Sequence, residues 1–150
     1  MTWTDLLRSR TVQTHLTSAN EMENLRELVT RDLTDAALAG LSADRRFATA
    51  YNAVLQLSKM AIACAGYRVV AGGGHHQKTL EAVKLALLNT PEAEQLANYF
   101  DTCRRKRNRI DYDSASVATD TEATELFNKA EEFQLLVEIW ISTNHPSFKK

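Results

Sequence analysis

Between Cys103 and Asp113 the chain reads Cys-Arg-Arg-Lys-Arg-Asn-Arg-Ile-Asp-Tyr-Asp, with five basic side chains in the six positions from 104 to 109. A guanidinium can grip a phosphate through two parallel N–H donors, and a tyrosine ring can stack on a base. At helical spacing Arg105, Arg109 and Tyr112 fall close to one face, while Arg104, Asn108 and Tyr112 run down one stripe. The chemistry these residue types suit is phosphate or nucleic-acid binding. A plainer reading stands beside it. A basic run is commonly a solvated helix face, and Arg107 with Asp111 has the spacing of an ordinary i,i+4 ion pair.

Proton transfer near neutral pH calls for histidine, and the chain has four. His75 and His76 follow Gly72-Gly73-Gly74 and precede a helix start expected near Gln77. Adjacent side chains diverge, so the pair is poorly suited to chelation. They read either as loop residues that help to cap that helix or as an imidazole folded over the Arg107–Tyr112 region. The glycines match no nucleotide-phosphate fingerprint, since no Lys-Ser or Lys-Thr follows and no strand precedes. His15 and His145 read as surface residues near the ends. Cys64 and Cys103 lack a zinc-type neighbour and sit in apolar helical patterns, so they read as core residues. No spacing suggests a nucleophile elbow or triad. The expectation is no metal and no cofactor.

The whole chain is near neutral, with formal net charge −1 and pI about 6.4. That excludes a generally basic nucleic-acid coat protein, so nucleic-acid contact would depend on the local cluster. No stretch approaches the roughly 18 apolar residues of a membrane span. The N-terminus, with Asp5, Arg8 and Arg10, lacks the apolar run of a secretory signal. The expectation is a cytoplasmic protein with no membrane partner.

The elements that would position these residues read as helices. Two prolines and five glycines leave long uninterrupted segments. Thr2 to Arg10 suggests a short helix. Ser18-Ala19-Asn20-Glu21 fits a capping box, and Met22, Leu25, Val29, Leu33 and Ala36 follow on one face, with Gly40 placed for a left-handed cap. From Ser42 a broad apolar stripe runs from Phe47 to Ile62 and stops at Gly66. It is nearly free of charge after Arg46 apart from Lys59, which marks it as the central helix. Leu80, Val83, Leu87 and Leu88 form the next face. Thr90-Pro91 suggests an N-cap and first helical residue for a helix carrying Leu96, Tyr99, Phe100 and Cys103. Asp113 to Thr119 reads as a loop. Leu126, Ala130, Phe133, Val137 and Trp140 mark a last helix from about Asp120 to Ile141, whose glutamates read as a polar outer face. The fold class expected is all-α: an up-and-down antiparallel bundle of four main helices plus a short N-terminal one, forming one domain over 1–150 with its core at about 20–141.

Arg107-Asn108-Arg109-Ile110-Asp111-Tyr112 resembles the signature of HEPN domains, in which an arginine, often followed by asparagine, precedes a histidine by five residues. The stretch Asp44 to Asn52, with Gly66-Tyr67 and Gly72 to His76, is similar to one bacterial HEPN branch. The resemblance implies a helical bundle that forms a homodimer with two motifs facing each other. It also implies metal-independent ribonuclease chemistry in a toxin–antitoxin, phage-defence or RNA-processing setting. Arg107 then matches the phosphate-holding arginine and Asn108 the ordering polar residue, with Arg104, Arg105, Arg109, His75 and His76 as further RNA or phosphate contacts. Tyr112 stands where the family has histidine. An unperturbed tyrosine, with a pKa of about 10, is a poor base, so binding survives this substitution better than catalysis does. The alternative is an inactive module that binds RNA, a nucleotide, a cognate antitoxin or a nucleotidyltransferase-like partner. Tyr99, Phe100 and Ile110, which flank the basic run, suggest an interface near Arg104 to Tyr112.

Overall fold

Thr2 opens the first helix with a complete capping box. Its hydroxyl accepts from the Asp5 N–H and the Asp5 carboxylate accepts from the Thr2 N–H, giving α1 at Trp3–Arg8. The computed structural model describes residues 1–112 and 114–150. After α1 come β1 at Val12–Thr14, α2 at Ala19–Ala36, α3 at Ala43–Cys64 and β2 at Tyr67–Val69. Then follow α4 at His75–Ala86, α5 at Ala93–Tyr112, α6 at Asp120–Asn144 and a 3-10 turn at Pro146–Phe148. The class is the expected all-α bundle. Among the described residues five longer helices follow α1, where four were expected; the three segments after the glycine loop each form one.

Helix α3 is the hub, packing against α2, α4, α5 and α6. Its buried side chains include Tyr51, Leu57 and Met60, so nearly every turn faces a neighbour. Phe100 of α5 and Phe133 of α6 meet with ring centroids 5.1 Å apart, in an edge-to-face arrangement suited to aromatic quadrupoles. Phe100 is thus enclosed in the chain's own core and is not free to face a partner copy.

Several boundaries differ from the sequence reading, each for a local reason. Strands β1 and β2 pair antiparallel, with Val12 opposite Val69 and Thr14 opposite Tyr67. Three residues per strand are too few for a two-residue period to show. Trp3 stacks on Tyr67 at 4.1 Å and ties α1 to this ribbon. Ser18 makes only half of its box: its hydroxyl caps the Glu21 N–H, but the Glu21 carboxylate turns to Thr17 and His15. Gly40 is not the cap of α2. The helix ends at Ala36, whose carbonyl accepts a hydrogen bond from Arg46 Nε at 3.0 Å, and Ala37 leaves in the right-handed region. Thr90-Pro91 precedes a turn rather than opening a helix, because Glu92 takes φ +71° and α5 begins at Ala93. Helix α4 begins at His75, so both histidines lie in its first turn rather than in the loop. Of the expected loop, residues 114–119 are irregular and Asp113 lies outside the described residues.

Two polar clasps hold the bundle's ends. Asp44 of α3 accepts from the Val117 and Ala118 N–H groups at 2.9 and 2.7 Å, fixing the connection that follows α5. Arg26 of α2 holds Glu138 of α6 with two bonds of 2.8 and 2.9 Å and also donates to the Phe148 carbonyl. Glu138 is therefore not part of a solvated outer face. Both side chains of this pair are only 17% exposed. Removing one partner strands the other charge, so Glu138→Ala is expected to cost about 2 kcal/mol in chemical denaturation. Arg26→Met with Glu138→Leu is expected to recover most of that loss.

Candidate phosphate site on α3, α4 and α5

The basic segment lies on the last turns of α5, and the helix spreads it over three faces. Residues 104, 107 and 111 step by three and four and share one face. Arg104 Nε donates to Asp101 at 3.0 Å, and Arg107 Nη1 pairs with Asp111 at 2.8 Å. Lys106 points the other way and pairs with Glu122 of α6, beside Phe47, Tyr99 and Cys103. Arg105, Arg109 and Tyr112 are exposed. Three of the five cations thus already have a carboxylate, and the positive surface is weaker than the raw run suggests. Asn108 is half-buried, one turn after Arg104.

The Arg104–Arg107 face is directed at α3 and α4. The Arg107 side chain is only 16% exposed, and its Nε is buried with no acceptor among the described residues. Tyr51 of α3 presents a hydroxyl that is likewise buried and unpartnered. Burial pushes that phenol up, while the positive charges of Arg104 and Arg107 pull it back, which places all three groups together. The His76 ring lies 5.8 Å from the Tyr51 ring and 6.3 Å from that of His75. Burial lowers the His76 pKa first. The positive charge of Arg107 and the neighbouring His75 and Lys59 lower it further, and Asp111 opposes them. His76 is therefore harder to protonate than an ordinary imidazole, and it stands near the Arg107 guanidinium.

The groups gathered here are of types that phosphate chemistry uses: a guanidinium with an unused donor and an imidazole near it. Tyr112 is 80% exposed. Of the expected residues, Arg104, Arg107 and His76 come together, with Asn108 and His75 at the margin. Arg105, Arg109 and Tyr112 stand apart on the solvent face. The sequence reading missed Tyr51, which it placed among the core residues. Lys59, the lone charge late in the central helix, was the visible signal that this face of α3 meets polar chemistry. No group of three or more His, Cys, Asp or Glu side chains that could hold a metal occurs among the described residues. No described helix is long and apolar enough to cross a membrane.

The family profile of SAV_6107-like HEPN domains matches residues 37–138, the greater part of the chain. The chain belongs to the HEPN family. No curated protein and no solved structure matches it. The HEPN match runs from the end of α2 to the last turns of α6. It therefore takes in both the Arg104–Tyr112 segment and the His75-His76 turn. Helix α1, strand β1 and helix α2 lie before it.

The His76 environment predicts a pH response of the HEPN bundle. Its folded pKa lies below its unfolded value, near the ordinary 6.5, so the unfolded chain binds more protons between the two. The stabilising contribution is full above about pH 6.5 and is lost as pH falls through the folded value. The midpoint of chemical denaturation should fall between pH 7.5 and 5.5. The decline should be shallower in His76→Gln.

Proposed function

We propose that this HEPN protein binds RNA by gripping a backbone phosphate with Arg107 and Arg104, and that His76 replaces the histidine missing at position 112. The observation that carries the reading is the buried Arg107 guanidinium, with an unpartnered Nε, in the neighbourhood of the His76 imidazole, whose pKa its charge helps to lower. In cleavage His76 takes the proton of the ribose 2′-OH, and that oxygen attacks the adjacent phosphorus. The P–O5′ bond breaks, a cyclic phosphate remains and the leaving oxygen takes a proton from water. HEPN domains commonly dimerise with their motifs face to face. In such a pair the exposed Arg105, Arg109 and Tyr112 would line the shared cleft and hold flanking nucleotides. The biological setting this supports is a toxin–antitoxin, phage-defence or RNA-processing system.

A second reading has an observation of its own. The Arg107–Asp111 pair already occupies one side of the guanidinium, and a carboxylate at the site disfavours a phosphate. That favours a non-catalytic module which binds RNA or a nucleotide weakly, or pairs with an antitoxin or nucleotidyltransferase-like protein. End-labelled single-stranded RNA distinguishes the two. Cleavage to 2′,3′-cyclic phosphate ends that is lost in His76→Ala, with binding retained, supports the ribonuclease. RNA that is bound but left intact supports the module.

A further inference from the structure

A cavity of about 240 Å³ opens between α2, α3, β2 and the start of α4. Leu25, Ile62 and Tyr67 give it apolar walls, and Glu21, Lys59 and His75 give it a polar rim. Three of its ten lining residues, His15, Glu21 and Leu25, come from the chain before residue 37, outside the segment that matches the HEPN profile. The Glu21 carboxylate is held in place: it accepts from the Thr17 hydroxyl at 2.6 Å and from His15 Nε2 at 2.9 Å. Burial raises its pKa, but these hydrogen bonds outweigh that and keep it below the usual carboxylate range. His75 Nδ1 is buried and has no partner among the described residues.

The cavity adjoins the phosphate site. Lys59 lines it, and the charge of Lys59 also bears on His76. His75 lines it, while His76, the next residue, faces Tyr51. A ligand that fills both places needs an anion at one end and, at the other, a flat apolar ring whose edge carries hydrogen-bond donors for a fixed carboxylate. Inorganic phosphate lacks the ring, and apolar ligands lack the anion. A nucleotide has both.

We propose that this cavity is a nucleobase pocket, which holds the base of the nucleotide whose phosphate sits at Arg107. Glu21 accepts from the edge of the base, and Lys59 lies between base and phosphate. The proposal rests on the phosphate reading above, and the test separates the two. The probes are the four ribonucleoside 5′-monophosphates and ribose 5-phosphate, titrated into the intact protein and followed by amide chemical shifts. At least one nucleotide should bind about 10-fold more tightly than ribose 5-phosphate, as expected when a base gains a pocket. Ala63→Leu, which narrows the cavity, should reduce that nucleotide to the affinity of ribose 5-phosphate and leave the sugar phosphate unchanged. Glu21→Gln should lower or redirect the base preference, and it tests the same claim if Ala63→Leu fails to fold. If ribose 5-phosphate binds through Arg107 and every nucleotide binds equally well, the pocket is refuted and the phosphate site stands. If no probe binds, both fall.

Discussion

Arg107→Met lowers the affinity for single-stranded RNA by about 10- to 100-fold, with little change in thermal stability. The magnitude follows from losing a charge-assisted contact in a partly desolvated place, worth about 1.4–2.8 kcal/mol where each 1.4 kcal/mol is a factor of ten. Methionine keeps an apolar stem of similar length and removes only the donors, so helical circular dichroism should be unchanged. Asp111 supplies a check of opposite sign. It pairs with Arg107 at 2.8 Å and competes with any phosphate for the same donors. Asp111→Asn should therefore raise RNA affinity, and the gain should vanish in the Arg107→Met background. Were Arg107 only part of a solvated face, neither substitution would alter binding.

Phe133→Ala removes the largest side chain of α6 that is fully enclosed, and it costs about 3–5 kcal/mol of folding free energy. The ring is fully buried and meets Phe100 of α5 edge-to-face at 5.1 Å. Its loss leaves a cavity that rigid helices close only partly, and it also removes the aromatic contact. A domain of this size has only about 5–15 kcal/mol in total, so denaturation should begin in markedly milder conditions. Leu135→Ala, two residues along the same helix and 64% exposed, should change stability by less than about 0.5 kcal/mol. A comparable loss in both variants would mean that α6 does not pack as described.

The helices were legible because long apolar stripes repeat over many turns. The stripes of α3 and α6 mark their buried faces almost residue by residue. Their ends were less legible, since they depend on partners distant in sequence. The Ala36 carbonyl is satisfied by Arg46, and Glu21 leaves its capping role for His15 and Thr17. The β1–β2 ribbon was hidden for the same reason: each strand is too short to signal itself and gains meaning only from the other.

Among the site residues, the density of arginine drew attention to α5 but not to its division. Periodicity alone could not tell which side of the helix meets α3 and which meets solvent. Arg104 and Arg107 proved to face the bundle, Lys106 faces Glu122, and Tyr112 stands outside. The histidine pair was visible as a possible source of imidazole. Its approach to Arg107 depends on where α4 starts, and that start lies two residues earlier than the spacing implied. Tyr51 could not be told from a core aromatic, because only its hydroxyl reaches the site. His15 and Glu21 read as a surface histidine and a capping residue until β1 and β2 paired and brought them to the cavity.

The central claim is that Arg104, Arg107 and their neighbours form a phosphate site, and the salt dependence of RNA binding tests it most directly. Each phosphate neutralised on a single strand contributes a slope of about −0.7 to a plot of log affinity against log salt. Two or three such contacts per protomer predict a slope of about −1.5 to −2 for the wild type. Arg107→Met should flatten it by about one contact. Affinity independent of salt, or a slope that Arg107→Met leaves unchanged, would contradict the account.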